Sequence, residues 1–284
     1  MLSKKDELVA QASGNAQPNI SQIKIRNTLV PLAPLTEQQR IVKILDEAFA
    51  GIATAKANSE KNLQNARSLF ESHLNSVFTQ RGKGWVERPL VEVCQIKPTK
   101  AEARRRLSDM ELVSFVPMEN LGIDLKFFLP TQAKTLSEVS GSYTYFADGD
   151  VLLAKITPCF ENGKLGIAAN LTNGIGFGSS EYIVFRSGPS VNKEWLYYYL
   201  SRDAFRKEGA ERMSGAVGHK RVSKDFIEGY PIPIPPLPEQ QHLIEQLDLL
   251  STETKRLESI YQRKLDALDE LKESLLHDAF RGAL

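Results

Sequence analysis

The sequence predicts an α+β protein in which a small mixed α/β domain is flanked by two long α-helices packed as an antiparallel coiled coil. Three observations predict this fold. A proline-rich segment followed by a long helical pattern occurs twice in the chain. Between the two copies lie short β-branched and aromatic runs broken by glycine and proline, which are typical of strands and turns. The overall composition is that of a folded protein.

The composition excludes several classes of protein. The chain has 284 residues, of which 42% are hydrophobic and 25% charged, so disorder and a collagen-like fold are excluded. This length predicts about two domains, since a single core stops growing at roughly 250 to 300 residues. The 36 basic and 35 acidic residues leave a net charge of +1. Net charge therefore gives no support to nucleic-acid binding, which must be argued from other features.

The two cysteines and the hydropathy pattern indicate where the protein acts. Cys94 and Cys159 stand far apart and form neither a CxxC pair nor a disulfide framework, so we expect reduced thiols. The N-terminus has no apolar signal-peptide core, and no run approaches the roughly 20 apolar residues that span a bilayer. We expect a cytoplasmic protein with no membrane partner.

The internal repeat sets the positions of the two helices. The segment Pro31–Arg40 is similar to Pro233–His242, and the same register later aligns Asp46 with Asp248. In both copies the prolines lack backbone donors and favour an extended chain. A helix is then predicted to start at Thr36 in the first copy and at Pro238 in the second, each with a glutamate in its first turn.

The predicted helices carry an apolar stripe with coiled-coil spacing. The second helix is expected from about 239 to 280, a length of roughly 60 Å. We expect the following residues to pair the helices: Leu45, Ile52 and Leu63 in the first copy, and Leu247, Leu250, Leu257, Tyr261, Leu268, Leu271 and Leu275 in the second. Because the chain leaves the first helix and re-enters the second at the same domain, pairing within the chain would be antiparallel. A coiled coil that only dimerises the protein is the alternative.

The segment between the helices predicts a small α+β domain. Strands are expected at 112–117, 143–146, 150–156, 166–169 and 182–186, and helical signals follow over 192–211. Aromatic residues of that helical region recur at three- and four-residue spacing, which favours a place in the core over a base-stacking platform. Glycines 174, 176 and 178 alternate in a stretch that suits a loop.

Three polar segments are candidates for contacting a ligand. The first is the loop from Lys155 to Lys164, where two lysines and Thr157 lie on a scaffold shaped by proline and Asn-Gly. The second is the glycine-rich segment 214–221, in which His219, Lys220 and Arg221 supply donors and the glycines allow close approach to a phosphate backbone. The third is the cation cluster Arg104, Arg105 and Arg106. For each of them, a solvated surface loop is the alternative.

No catalytic, metal or cofactor site is predicted. Lys164 follows Gly163 without the earlier glycine of a Walker loop, and Asp266, Glu270 and Lys272 occur in a nuclease-like order but lie on the predicted coiled coil. The four histidines and two cysteines lack metal-ligand spacing. The chain is therefore interpreted as non-catalytic.

The combination of motifs resembles one family. Two proline-rich Pro-Leu-x-Glu-Gln-Gln segments lead into long helices, and the domain between them contains the loop Lys155–Lys164, Gly178-Ser-Ser-Glu181 and Gly218-His-Lys-Arg-Val222. Together they resemble the specificity subunit of type I restriction-modification enzymes over essentially the whole chain. Each motif is weak alone, but their order and repetition are specific.

The resemblance implies a DNA reader without catalytic activity. Such subunits normally carry two target recognition domains, each followed by a conserved helical region, and each domain reads half of a bipartite site. In this chain the resemblance implies the end of a first target recognition domain at 1–30, a first conserved helical region at 31–83, a complete target recognition domain at 84–230 and a second conserved helical region at 231–284.

The same resemblance implies the partners. These are double-stranded DNA, type I adenine methyltransferase subunits, and the restriction (translocase/endonuclease) subunit through the complex. Because the chain has one complete reader, a homodimer is expected to supply the second and to read a palindromic site. The alternatives are a coiled-coil adaptor that binds only proteins, a truncated fragment that does not recognise DNA productively, and an enzyme with an unrecognised site.

Overall fold

The computed structural model describes Val9 and residues 21–29, 32–216 and 218–284. Contacts divide the chain into two units, one formed by residues 1–69 and 252–284 and the other by residues 70–251. The remnant expected at 1–30 lies largely outside the described residues. The helices are α1 Gln22–Arg26, α2 Leu35–Thr79, α3 Leu90–Val93, α4 Ala101–Arg106, α5 Leu136–Val139, α6 Lys193–Ser201, α7 Asp203–Glu211, α8 Lys224–Gly229 and α9 Leu237–Arg281.

The two long helices begin one residue before the predicted positions, and both starts are closed in the same way. The side-chain amide of Gln38 donates to the Ala33 carbonyl at 2.6 Å, and that of Gln240 donates to the Pro235 carbonyl at 2.8 Å. The side-chain amides thus act as donors to Ala33 and Pro235, carbonyls of the proline-rich segments that precede the helices. The repeat seen in the sequence is therefore a repeat of local structure. None of the described helices has the length and apolar character that crossing a membrane requires.

In the first unit α2 and α9 pack antiparallel, as predicted. Lys56 Nζ lies 2.6 Å from Asp269 Oδ1, and Arg67 Nε lies 3.0 Å from Glu258 Oε2. Partner numbers on α9 fall as those on α2 rise, which only an antiparallel pair allows. Ion pairs this exposed contribute up to about 1 kcal/mol each, so they orient the helices more than they stabilise them.

The seam between these helices is built from small and half-buried residues. Ile52, Ser59 and Thr254 are buried, whereas the other expected pairing residues of this unit are half-buried, namely Leu45, Leu63, Leu257, Tyr261, Leu268 and Leu275. Leu271 differs from the expectation, because its side chain is 47% exposed. Leu268 and Leu275, the neighbours of Leu271 in the stripe, stay half-buried, so the seam continues past this exposed position.

The second unit contains three sheets. The strands are β1 Val86–Pro89, β2 Cys94–Ile96, β3 Leu112–Val116, β4 Phe127–Phe128, β5 Gln132–Thr135, β6 Thr144–Ala147, β7 Val151–Ala154, β8 Leu165–Ala168, β9 Ile175–Gly178, β10 Tyr182–Ser187 and β11 Pro231–Ile234. The five-stranded sheet has the order β2-β10-β7-β8-β4, the four-stranded sheet has the order β5-β3-β9-β6, and β1 pairs with β11. The pairs β3–β9 and β4–β8 are parallel, and the other pairs are antiparallel.

All five predicted strands are present, but the expectation of a loop at the alternating glycines was wrong. Residues Ile175–Gly178 form β9, between β3 and β6. A Cβ on Gly176 would lie 2.2 Å from Cε2 of Phe146, and one on Gly178 would lie 2.3 Å from the Val116 carbonyl oxygen. The glycines are there because neighbouring groups approach the strand closely, which strand propensity does not register.

The helical signals over 192–211 correspond to two helices. Arg202 has extended backbone angles and separates α6 from α7. The aromatics of this region belong to the core, as predicted. Trp195 is fully buried, with its ring centroid 4.3 Å from that of Phe78 at the end of α2, and its indole N–H donates to the Pro233 carbonyl at 2.9 Å. Leu247, expected to pair helices, is also buried in this core, and Leu250 is half-buried.

Candidate nucleic-acid interface

The fold brings two of the predicted segments together. The Thr157 amide donates to the Lys220 carbonyl at 3.0 Å, and the Val222 amide donates to the Lys155 carbonyl at 3.0 Å. Ile156 and Arg221 form the isolated antiparallel bridge between these bonds. Four of the candidate residues, Lys155, Thr157, Lys220 and Arg221, therefore lie on two adjacent strand-like stretches.

The glycine-rich segment is a tight loop with an exposed end. Ser214 and Arg221 exchange backbone hydrogen bonds of 3.1 and 2.8 Å. Gly215 has a φ of 128°, and a Cβ there would lie 2.9 Å from the His219 carbonyl oxygen, so the turn requires glycine. His219 and Lys220 are exposed at this end. Backbone amides and cationic side chains on such a loop can approach a phosphate closely.

A carboxylate holds the cations at the base of this loop. Glu181 accepts two hydrogen bonds from the Arg221 guanidinium, each of 2.8 Å, and its Oε2 lies 3.9 Å from Lys155 Nζ. The bond from Arg221 is the main reason that the pKa of Glu181 lies below its usual value. Burial lowers the pKa of Lys155, whose ammonium also donates to the Ser180 carbonyl at 2.9 Å. Glu181 therefore occupies a place that a phosphate group would suit.

The remaining candidates of the first loop are engaged within the protein. The Thr157 hydroxyl donates to Glu161 at 2.8 Å. The half-buried Lys164 donates from Nζ to the Met118 carbonyl at 2.7 Å, and its backbone bridges to Ile123 rather than to the 214–221 loop. Lys164 thus fastens one loop to another and stands outside the cluster that contains Lys155.

The three arginines of α4 diverge. Arg104 lies 3.4 Å from the Ser140 hydroxyl, and Arg106 lies 3.4 Å from the Asn173 carbonyl. Arg105 is exposed between them. Consecutive residues on a helix point about 100° apart, so they do not form one compact cation site.

A basic groove beside this cluster is absent from the sequence predictions. It has a volume of about 760 Å³ and is lined by four lysines, by the exposed Tyr143 and by a single carboxylate, Glu228. The lysines are Lys97, Lys100, Lys155 and Lys224. Lys155 is the one predicted member. The lysines of the segment Lys97-Pro-Thr-Lys100 were a local signal, but only the pairing of β2 with β10 brings them to Lys155.

A charge network around the buried Asp150 serves the fold. Asp150 is buried and accepts two hydrogen bonds of 2.8 Å from Arg186 and one of 2.8 Å from the Ala147 amide. Arg186 also donates to Glu102 at 2.6 Å. This network closes the Asp148-Gly-Asp150 turn that precedes β7. Among the residues that the structure describes, no group of three or more His, Cys, Asp or Glu could hold a metal ion.

The chain is similar in sequence to specificity subunits of type I restriction enzymes. It is 33% identical over 260 residues to the type I restriction enzyme EcoAI specificity subunit of Escherichia coli, and equally identical over the same length to the EcoEI specificity subunit. Each match covers 90% of this chain and 42% of the relative, so the chain spans less than half the length of these proteins. The MjaVIII specificity subunit of Methanocaldococcus jannaschii is 25% identical over 99% of this chain and 68% of its own length.

Solved structures share the fold. A chain from a study of complex assembly and conformational transition of the type I R-M system has a TM-score of 0.77 at 23% identity. The HsdS subunit from Thermoanaerobacter tengcongensis has a TM-score of 0.58 at 22% identity. Both cover 99% of this chain, which covers 68% of each of them. The model of the type I restriction modification DNA specificity domain matches residues 1–64 and 82–264. The chain therefore belongs to the family of type I restriction modification DNA specificity domains.

Proposed function

We propose that the chain is a non-catalytic DNA sequence-specificity subunit of a type I restriction-modification enzyme and recognises part of a bipartite target. One structural observation carries this proposal in a chain of this family. The exposed loop with His219 and Lys220 is joined by backbone hydrogen bonds to the stretch with Lys155 and Thr157. A loop anchored in this way can present its exposed donors to base edges, because specificity requires donors held at fixed positions in a groove of the duplex.

The proposed roles of the candidate residues follow from their surroundings. His219 and Lys220 contact the duplex directly, since both are exposed at the end of the loop. Arg221 and Lys155 are paired with Glu181 and gain phosphate contacts only to the extent that the duplex displaces this carboxylate. Lys164, Thr157 and the α4 arginines contribute by shaping or flanking this surface.

The domain assignment is part of the proposal. Residues 84–230 form the target recognition domain, and residues 31–83 and 231–284 form the two conserved helical regions. The equivalent glutamine bonds at the starts of α2 and α9 support two copies of one helical region. Residues 1–30 are the end of another recognition domain. Because the proposed function requires access to the DNA of the cell, the proposed location is the cytoplasm.

The helices supply a surface for the other subunits. Leu69 on α2 and Ile260 on α9, both in the first unit, are 53% and 36% exposed, and exposed apolar residues of this size are suited to protein contacts. We assign this surface to adenine methyltransferase subunits, with the restriction subunit joining through the complex. In this proposal the docked subunits carry out methylation and DNA cleavage, and this chain has no catalytic role.

A homodimer would provide a second recognition domain. Val42 on α2 is 55% exposed, whereas its counterpart in the repeat, Ile244, is 1% exposed. This difference supports a partner at the first helix. Two copies related by a two-fold axis would read a palindromic target. Sedimentation of the protein with and without duplex tests this point, and a monomer under both conditions would contradict it.

Methylation mapping tests the proposed function. The chain is coexpressed and copurified with an adenine methyltransferase subunit, and methylated adenines are mapped across the host genome. We expect a recurrent sequence motif that appears only when both proteins are present. Copurification without methylation would instead identify a protein adaptor or a fragment unable to recognise DNA, and turnover by the chain alone would identify an enzyme.

A further inference from the structure

We propose that the groove lined by Lys97, Lys100, Lys155 and Lys224 seats the phosphate backbone of duplex DNA. This inference rests on the proposed function and adds a binding surface to the exposed loop. The groove belongs entirely to the unit of residues 70–251, and Lys155 joins it to the 214–221 loop. Backbone contact here would fix the register of the loop on the duplex, because phosphate contacts position a protein while base contacts specify the sequence.

The charge of the groove points to an anionic ligand. Four lysines line it together with one carboxylate, Glu228, which lies 3.4 Å from Lys224. Lys155 also lies 3.9 Å from Glu181, a carboxylate outside the lining of the groove. Like charges collected in a concave surface focus the electrostatic potential and raise the local concentration of a ligand of opposite charge. A chain with a net charge of +1 has thus concentrated positive charge in one place.

Two of these lysines are held in position by the backbone around them. Lys97 has a φ of 59°, which is unusual for a residue with a side chain, and its amide donates to the Val184 carbonyl at 2.8 Å. Lys100 donates to the Gly141 carbonyl across the groove. Strained backbone conformations of this kind persist where the surroundings impose them and are concentrated at ligand sites. In the part of the chain that the structure describes, Lys97 Nζ forms no hydrogen bond or ion pair.

The environment of Lys155 supports the same ligand. Its pKa is lowered first by burial and further by the positive charges of Lys97 and Arg221, while Glu181 opposes this effect. A phosphate in the groove would relieve the repulsion among these cations. Tyr143 is 37% exposed at the rim, with its ring centroid 4.8 Å from that of Phe115, and this fixed ring can pack against a deoxyribose.

The test compares charge removal inside and outside the groove. Lys97→Gln/Lys100→Gln removes two groove cations. Lys83→Gln/Lys207→Gln removes two exposed lysines elsewhere and is the matched control. Affinity of the purified full chain for a fluorescein-labelled duplex of mixed sequence is measured by anisotropy over a range of NaCl concentrations. Melting curves verify that each variant is folded.

The expected result is a change in salt dependence. Loss of two phosphate contacts makes the slope of log affinity against log salt concentration shallower by about 1.8. A fourfold rise in salt would then cost the wild-type protein about twelvefold more affinity than it costs the groove variant. The control variant should keep the wild-type slope. Lys97→Arg/Lys100→Arg should also keep it, since charge is retained.

Three outcomes would overturn the inference. Equal slopes for the groove and control variants would show that the backbone lies elsewhere. Saturable stabilisation by inorganic phosphate or AMP that requires Lys97, with no change in the duplex slope, would identify a small-anion site. If the wild-type chain binds no duplex, alone or with an adenine methyltransferase subunit, the proposed function itself fails, and this inference fails with it.

Discussion

Replacing Glu181 with glutamine should make the protein bind DNA more tightly while making its fold slightly less stable. The substitution keeps the size of the side chain and removes the charge that faces Arg221 at 2.8 Å and Lys155 at 3.9 Å. In the wild-type protein a phosphate must displace this carboxylate before it can contact either cation. Glu181→Gln removes that competition.

The magnitude follows from counting the released cations. If one or both of them gain a phosphate, the slope of log affinity against log salt concentration becomes steeper by about 0.9 to 1.8. The Arg221 side chain is 46% exposed, so solvent screens the lost ion pair, and the loss in unfolding free energy should be small. The affinity for duplex DNA should therefore rise while the free energy of unfolding falls.

Anisotropy titrations over a salt series and chemical denaturation test this prediction. Glu87→Gln is the matched control, because Glu87 pairs with Arg81 at a site outside the groove and the 214–221 loop. It should change the charge equally without changing the salt slope. A Glu181→Gln protein that is folded and has an unchanged or shallower slope would refute the view that Glu181 occupies a phosphate position.

Three further substitutions test other parts of the structure. Lys220→Ala/Arg221→Ala should weaken duplex binding and flatten its salt slope, with most of the effect from Lys220 because Arg221 is already paired; an unchanged slope in the same titration would remove both from the interface. Gly176→Ala should destabilise the fold by about 1 to 3 kcal/mol in denaturation, whereas Gly229→Ala, which meets nothing within 4 Å, should cost far less. Glu102→Gln should lower the unfolding free energy by up to about 1 kcal/mol above pH 4.5. The difference from the wild-type protein should disappear in acid, because hydrogen bonding to Arg186 lowers the pKa of Glu102 in the folded state. A difference that stays constant with pH in denaturation experiments would contradict this cause.

The helices and most strands could be predicted because their signals are local. The repeat located both long helices, and the glutamate and proline signals placed their starts within one residue of Leu35 and Leu237. Strand β9 was missed because its glycines are required by the close approach of the Phe146 ring and the Val116 carbonyl, which belong to other strands. Arg202 interrupts a helical pattern for which the sequence carries neither proline nor glycine at that position.

The candidate site was predictable only in part. The loop 214–221 and the stretch beginning at Lys155 were visible as polar motifs, but nothing local indicated that they pair. Residue type identified Lys164 and Arg221 as donors without showing that Met118 and Glu181 already accept from them. Lys97 and Lys100 reach the groove through sheet pairing between segments far apart in the chain, and such pairing is set by tertiary packing.

The packing of Trp195 against Phe78 has a consequence for protein engineering. Within residues 70–251, the buried cluster that contains Trp195 includes the last turns of α2 and the first turns of α9. A transplant that cuts the chain in the loops beside the sheets would separate Phe78 from the rings of Trp195 and Tyr199, and Leu247 from the rest of this cluster. Chimaeras that exchange DNA preference should therefore be joined within the long helices, near residues 69 and 252. The transferred segment then includes the helix turns that complete its buried cluster.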